Sequence, residues 1–358
     1  MNKTTILIFL LFLGTLSFSQ IVSSTAFVQG NISDGEKLTK AYLTPLEHAM
    51  SFANSDGNIN FTNSNKKISF YFGVNLAIIG TLKKDLTYDV NSLNLKEMEP
   101  SNPNQTIAQT YFGDESYIEL QSKTTYKDPN PPFGYTEKPI YKFNTPQGNS
   151  GMLKLPSMNV GIYGYGTHLS INGLVKINIP NTTGTIYSLG ASLQHNLNQF
   201  IKPIANWPID ISILVAYQKT TLDYYLDVKP DETRTELNLS GDNGPYDNQV
   251  LTINTKAIPL ELIISKKIHN LHLYGFAGYS IQQSTVELKG NYPIYASDPN
   301  NTLKVNVEDI SDPFSYQNSF NGTKFGAGAV YQLAFIKFKA NTSYSKYILF
   351  NFGFELVF

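Results

Sequence analysis

The chain has 358 residues, with 27 Lys+Arg against 28 Asp+Glu, no cysteine, 23 Tyr, 22 Phe and one Trp. Only 15% of residues are charged, against roughly 25% in a typical soluble domain. A net charge of -1 offers no basic footprint for nucleic acid, the missing cysteines exclude zinc ribbons, disulfide scaffolds and thiol chemistry, and 41% apolar residues exclude a disordered chain.

Residues 1–19 read as a secretory signal peptide. Lys3 is the positive start, Ile6 to Leu13 form an unbroken apolar run, and Ser17 and Ser19 suit the small-residue cleavage positions. No later stretch is apolar for the 18 or more residues of a membrane helix, so the remaining route into a bilayer is a closed β-barrel.

Residues 20–65 are expected to form a helical plug or lid that enters or covers the lumen from the periplasmic side. Ser33 with Glu36 makes a capping box, and Leu38, Tyr42, Leu46, Ala49 and Ala53 recur at helical spacing, which predicts a helix from Ser33 to Ala53. Pro45 inside this pattern predicts a kink or a division, and Asp56-Gly57 a stop. Tyr42 and Leu46 are the candidate plug contacts.

From Lys66 the period changes from helical to two. Phe70, Phe72, Val74, Leu76 and Ile78 alternate with Ser69, Tyr71, Gly73, Asn75 and Ala77. Tyr187, Leu189, Ala191 and Leu193 alternate with Ser188, Gly190, Ser192 and Gln194. Ile211, Ile213, Val215 and Tyr217 share a face, and after a short turn Leu222, Tyr224, Leu226 and Val228 share it again, with Asp223 and Asp227 between them on the polar side. The last three strands alternate most clearly, with Phe325 to Tyr331, Ile336 to Thr342, and Phe350, Phe352, Phe354, Leu356 and Phe358 each set against small polar residues or lysines. A soluble sandwich would carry many Lys and Glu on its polar face. Here that face is mostly Asn, Ser, Gln and Gly, which suits a crowded lumen, while the aliphatic and aromatic face suits lipid.

Residues 66–358 are therefore expected to be a transmembrane antiparallel β-barrel in an all-β fold. Allowing about 9–11 residues per strand gives about 14 strands, with about 12 as the alternative. Residues 81–157, 231–248 and 291–320 are rich in Pro, Gly and polar residues and read as long loops.

The N-terminal run from Gly35 through Thr44-Pro45-Leu46, the stretch from Leu155-Pro156 to Ile179-Pro180, and Leu189 to Leu197 leading to the Ile201–Pro203 region resemble an uncharacterised family of outer-membrane barrels from Bacteroidota. A more distant likeness is to long-chain fatty-acid transporters of the outer membrane, barrels of 14 strands with an N-terminal hatch, and it rests on the helix preceding the first strand. The terminal Phe358 resembles the C-terminal signature read by the barrel insertion machinery of Gram-negative bacteria. These resemblances imply the outer membrane as location, its lipid as surroundings and the insertion machinery as a partner.

Candidate chemistry is sparse. His269 and His272 are three apart on an apparent strand or turn, and Ser192 and His195 three apart on a strand, so each pair points to opposite faces. Gly-x-Ser-x-Gly is absent, and Asp242-Asn243-Gly244 with Asp247 lacks the terminal glutamate of a calcium loop. Neither a catalytic set, a metal site nor a cofactor is expected. Lys337 and Lys339 share a face beside Glu355 on the next strand, and with Asp223 and Asp227 they form the candidate lumenal charges. The sequence favours passive passage of a small hydrophobic molecule past the plug, on the grounds of an apolar helix face and no strong lumen charge. The competing reading is a non-transporting scaffold or surface-interaction barrel.

Overall fold

The period-two segments become strands that hydrogen-bond into a ring. The computed structural model describes residues 30–56, 59–61, 68–129, 134–149, 151–180, 182–198, 209–239 and 244–358. The expected signal peptide at 1–19 and most of the calcium-like fragment at 242–244 lie outside these residues.

One helix, α1 (Ile32–Asn54), precedes β1 (Ser69–Gly80), β2 (Leu153–Gly164), β3 (Thr167–Asn178), β4 (Gly184–Asn196), β5 (Asp210–Tyr225), β6 (Val250–Ile268) and β7 (Leu271–Lys289). They are followed by β8 (Phe314–Ser319), β9 (Gly322–Leu333), β10 (Ile336–Tyr344) and β11 (Ile348–Val357). Each strand from β1 to β7 pairs antiparallel with the next, β7 pairs with β9, and β11 pairs back onto β1 from Tyr71↔Val357 to Gly80↔Ile348. The ring is a closed barrel of ten strands, one of the eleven strands in the sheet lying outside it. That eleventh strand, β8, pairs with Gln283–Leu288 of β7, directly above the stretch where β9 pairs. Phe320 and Asn321 bond Gln282 between the two, so β8 continues the line of β9 past a short break.

The count of 14 or 12 is corrected to ten. β6 and β7 run for 19 residues each, twice the assumed strand, and much of the chain goes into short strands outside the ring. One of the long loops is a structured cap. Thr87–Asp89 pairs with Ile107–Gln109; Met98–Pro100, Glu119–Ser122 and Lys142–Asn144 form a sheet; Thr125–Pro129 and Tyr135–Pro139 form a hairpin. Another small sheet joins Asn291–Ser297, Val305–Ser311 and Leu237–Asn238. The first loop also ends earlier than expected, because β2 begins at Leu153 and carries Pro156 within it.

The two ends of the barrel differ. At one end β2–β3, β6–β7 and β9–β10 are joined by tight turns, with Tyr165, His269 and Ala334 at positive φ, and both β1 and β11 meet that end. The cap and the connections β1–β2, β5–β6 and β7–β8 lie at the other end, whereas β4 and β5 are joined at the short-turn end. The outer wall carries exposed Leu169, Ile171, Leu189, Val215, Leu262 and Phe352. Tyr165, Phe335 and Phe358 ring the short-turn end, and Tyr187, Tyr225 and Tyr344 the long-loop end. Such a closed, apolar-walled ring is the β architecture that satisfies every strand in lipid. No helix among the described residues is long and apolar enough to cross a membrane.

The helix lies inside the ring, capped by Asn31, whose side chain accepts from Asp34 N at 3.2 Å; this replaces the expected Ser33 cap. Pro45 does not divide it: the 23 residues run as one helix, with Pro45 buried and the Thr44 hydroxyl donating to Lys40 O at 2.6 Å. Ten strands about 4.8 Å apart and tilted about 40° enclose a backbone radius of about 10 Å. A helix with its side chains takes about half of that radius, so the wall facing it must be lined with small residues in places. Gly73 and Gly190 make room for neighbouring wall side chains that turn into this crowded lumen: a Cβ at Gly73 would strike Asn159 and Glu355, and one at Gly190 would strike Gln218.

Candidate functional site: the plugged lumen

The helix is buried over most of its surface, with Ser33 and Lys40 exposed on one side of its first half. Leu38, Tyr42, Leu43, Leu46, Ala49 and Met50 are all 0% exposed. Tyr42, Leu46 and Phe52 belong to one apolar core with wall residues Leu222, Leu251 and Val286 and with Tyr111 and Phe112 of the cap. The first turns enter a second core within the cap, where Leu38 packs among Val90, Met98, Leu120 and Tyr141.

Polar contacts fix the helix at successive levels. Nearest the cap, the buried Asp34 carboxylate accepts from the backbone N–H groups of Lys96 (2.9 Å), Glu97 (2.7 Å) and Met98 (3.2 Å). Beside it, burial pushes the Tyr141 hydroxyl up, with the Asp34 and Glu97 carboxylates adding to the shift. Tyr42 OH donates to Gln147 O at 3.1 Å. Glu47 accepts from Tyr316 OH at 3.0 Å and Asn318 Nδ2 at 3.1 Å on β8, and the neighbouring His48 stacks on Phe320 at 4.6 Å. Asn54 ends the helix by donating to Thr255 Oγ1 at 2.9 Å and accepting from Thr220 Oγ1 at 2.6 Å.

Below the helix the chain is held by charges. Lys324 donates to Ser55 O and pairs with Glu261 at 2.6 Å, both side chains buried. Glu355 pairs with Lys339 at 2.9 Å and also accepts from Tyr163 OH at 3.0 Å and Asn60 Nδ2 at 2.5 Å. Lys337 donates to Phe61 O and lies 4.3 Å from the centre of the Tyr163 ring. Phe61 stacks on His272 at 5.4 Å, and Tyr71, Tyr163 and His168 stack on one another across the same level. The short-turn end of the lumen is thereby filled by rings and paired charges.

The sequence-derived candidates separate into two groups. Lys337, Lys339 and Glu355 converge at the short-turn end of the lumen, and Tyr42 and Leu46 sit in the helix core. Asp223 and Asp227 do not face the lumen, and their placement is corrected. No turn interrupts β5: Gln218 to Thr221 continue the strand, two of them β-branched threonines. Parity therefore puts Asp223 on the outer face with Tyr217, where it accepts from Thr252 Oγ1 at 2.9 Å. Asp227 lies beyond the strand, exposed, 2.8 Å from Lys229. The expected absence of strong lumen charge is also corrected by the buried Lys324, Glu261, Lys339 and Glu355.

Lys324, Glu261, Glu47 and Asp34 were missed. A signal for Glu261 stands in the sequence: it is the one charge inside the run Ile258 to Ile264, on the same parity as the buried Ile263. Ser192 faces inward onto Ser170 at 2.6 Å, while His195 faces outward. His269 occupies the β6–β7 turn.

Between the lower end of the helix and strands β1 to β5 a cavity of about 60 Å³ remains, lined by Asn54, Asp56, Asn75, Asn172, Ser188 and Gln218 among others. The helix thus packs most closely against β6 and β7 and leaves a small crevice of mixed polar and apolar lining on the opposite side.

Residues 1–358 match the family described as "Family of unknown function (DUF6588)". The chain belongs to that family. No curated protein matches it in sequence. Among solved structures it is similar to the translocator domain of the autotransporter NalP from Neisseria meningitidis, with 10% identity, 89% of this chain and 97% of that one covered, and a TM-score of 0.31. It is also similar to the outer membrane protease OmpT from Escherichia coli (11% identity, 84% and 99% covered, TM-score 0.27). A third is the toluene transporter TbuX of Ralstonia pickettii (8% identity, 87% and 92% covered, TM-score 0.23). These likenesses are too slight to carry an argument about role.

Proposed function

We propose that this protein is a plugged barrel of the Gram-negative outer membrane, closed in its folded state, that presents its cap at the cell surface as a scaffold or interaction module. The apolar outer wall, the aromatic rings at both ends and the closed ring support the location, with export through residues 1–19. In outer-membrane barrels the short turns face the periplasm and the long loops the outside, so the cap lies outside the cell. Phe358, at the short-turn end, is where the insertion machinery would meet the last strand.

One observation carries the closed state. The helix shares a single apolar core with the wall and with the cap, so moving it would expose both. A gate that opens readily would be drawn from the weakly packed parts of a protein. The reading as a scaffold therefore takes precedence over passive uptake of a small hydrophobic molecule by analogy with fatty-acid transporters. Uptake is supported by the crevice beside the helix, which Leu155, Leu174 and Ile186 line together with amides and hydroxyls, yet at about 60 Å³ it is too small for a fatty acyl chain.

Planar-bilayer recording on the purified chain, with fatty-acid uptake measured in liposomes, tests the reading. The expected result is no stable conductance and no uptake above protein-free liposomes. Steady channel steps, or uptake that rises with protein, would overturn it.

A further inference from the structure

The direction in which the helix threads the barrel has a consequence for the surface of the cell. Gly30 is seated in the cap, where a Cβ would strike Tyr141 and Met98. From there the contacts descend in sequence order. Asp34 binds the backbone of Lys96 to Met98, Tyr42 binds Gln147, and Glu47 binds β8 above the break. Asn54 then binds Thr220 and Thr255 on the wall, and Asn60 binds Glu355 and Gln194 at the short-turn end. β1 starts at that same end with Ser69. A helix lying across the periplasmic mouth, as the sequence suggests, would have its first residues there; here they are at the opposite end.

We infer that the chain runs from the outer side, through the lumen, to the periplasmic start of β1, so that the barrel presents Gly30 to Ser33, the entry to its plug helix, at the cell surface. The inference rests on the outer-membrane orientation proposed above. A second observation supports this placement. A cavity of about 370 Å³ opens beside Gly30 and Asn31 between the two cap sheets, lined by Glu97, Tyr141, Tyr295 and Asp309 among others. Gly30 and Asn31 thus border open space within the cap, while the lumen below is filled by the helix.

The chain lacks cysteine, so single-cysteine variants can be labelled without background. Ser33→Cys and Lys40→Cys report on the exposed side of the early helix, Asn102→Cys on the cap, and Ala334→Cys on the β9–β10 turn. A membrane-impermeant maleimide is applied to intact cells and to cells with a permeabilised outer membrane, and heat-modifiable migration confirms that each variant is folded. The expected result is that Ser33→Cys labels in intact cells as fully as Asn102→Cys, while Ala334→Cys labels only after permeabilisation. Lys40→Cys serves in its place if Ser33→Cys does not fold. Labelling of Asn102→Cys with protection of both helix positions in intact cells, followed by their labelling on permeabilisation, would overturn the threading alone. Labelling of Ala334→Cys instead of Asn102→Cys would overturn the orientation itself.

Discussion

The upper and lower parts of the plug are held by different physics. From Leu38 to Phe52 the helix sits in apolar cores, with Asp34, Tyr42 and Glu47 adding a few directed hydrogen bonds. From Asn54 to Phe61 only Ile59 and Phe61 enter a small apolar cluster, with Leu214, Ile263 and Phe276, and the rest of the stretch is held by Lys324, Lys337, Glu355 and their partners. Burial of apolar surface is nondirectional and supplies stability, while buried ion pairs return little net energy yet are costly to break. The upper part thus accounts for why the helix stays in the barrel. The lower part accounts for its register, since Lys324 and Lys337 each meet one backbone carbonyl of the chain, at Ser55 and Phe61, and Glu355 meets the Asn60 amide.

Substitutions can separate these two roles. Glu355→Ala removes the acceptor shared by Lys339, Tyr163 and Asn60 and leaves Lys339 buried and unpaired, at a cost of about 3–5 kcal/mol. Urea unfolding in micelles should read this loss, and the double variant Glu355→Leu with Lys339→Met should recover most of it. A double variant as unstable as the single one would mean that the charges contribute stability as well as register. Leu46→Ala opens a cavity in the upper core and should cost about 2–5 kcal/mol in the same assay without altering the lower contacts. A smaller effect is expected of Asn31→Ala, which deletes the helix cap and should cost about 1 kcal/mol. The smallest belongs to Asp227→Asn, an exposed partner of Lys229, expected to shift stability by no more than about 0.5 kcal/mol. A large effect there would mean that the loop beyond β5 packs on the lumen after all.

The same division separates what was legible in the sequence from what was not. Strict alternation marked β1, β4 and β9 to β11, because a lipid-facing wall tolerates few exceptions to its parity. Lys337, Lys339 and Glu355 were legible for the same reason: in clean strands the parity of a charge tells which side it faces. Asp223 failed because Gln218 to Thr221 was read as a turn, and one misplaced turn reverses every later side chain of a strand. Strand number failed because β6 and β7 extend far beyond a bilayer's thickness, to support the cap. The expectation that the helix enters from the periplasmic side had no residue contact behind it. The helix pattern identifies a buried face, and only the long-range contacts of Asp34 and Asn60 set its direction.

The central claim is that plug, wall and cap form one cooperative core. Native-state hydrogen exchange on the intact protein in micelles tests it most directly, because exchange reports the free energy of opening at each amide. The account predicts that amides from Leu43 to Phe52 are protected to the same degree as those of β6 and β7, and lose protection only when the strands do. Exchange of the helix at the rate of exposed loop amides, with the strands still protected, would contradict it and would make the helix a movable gate.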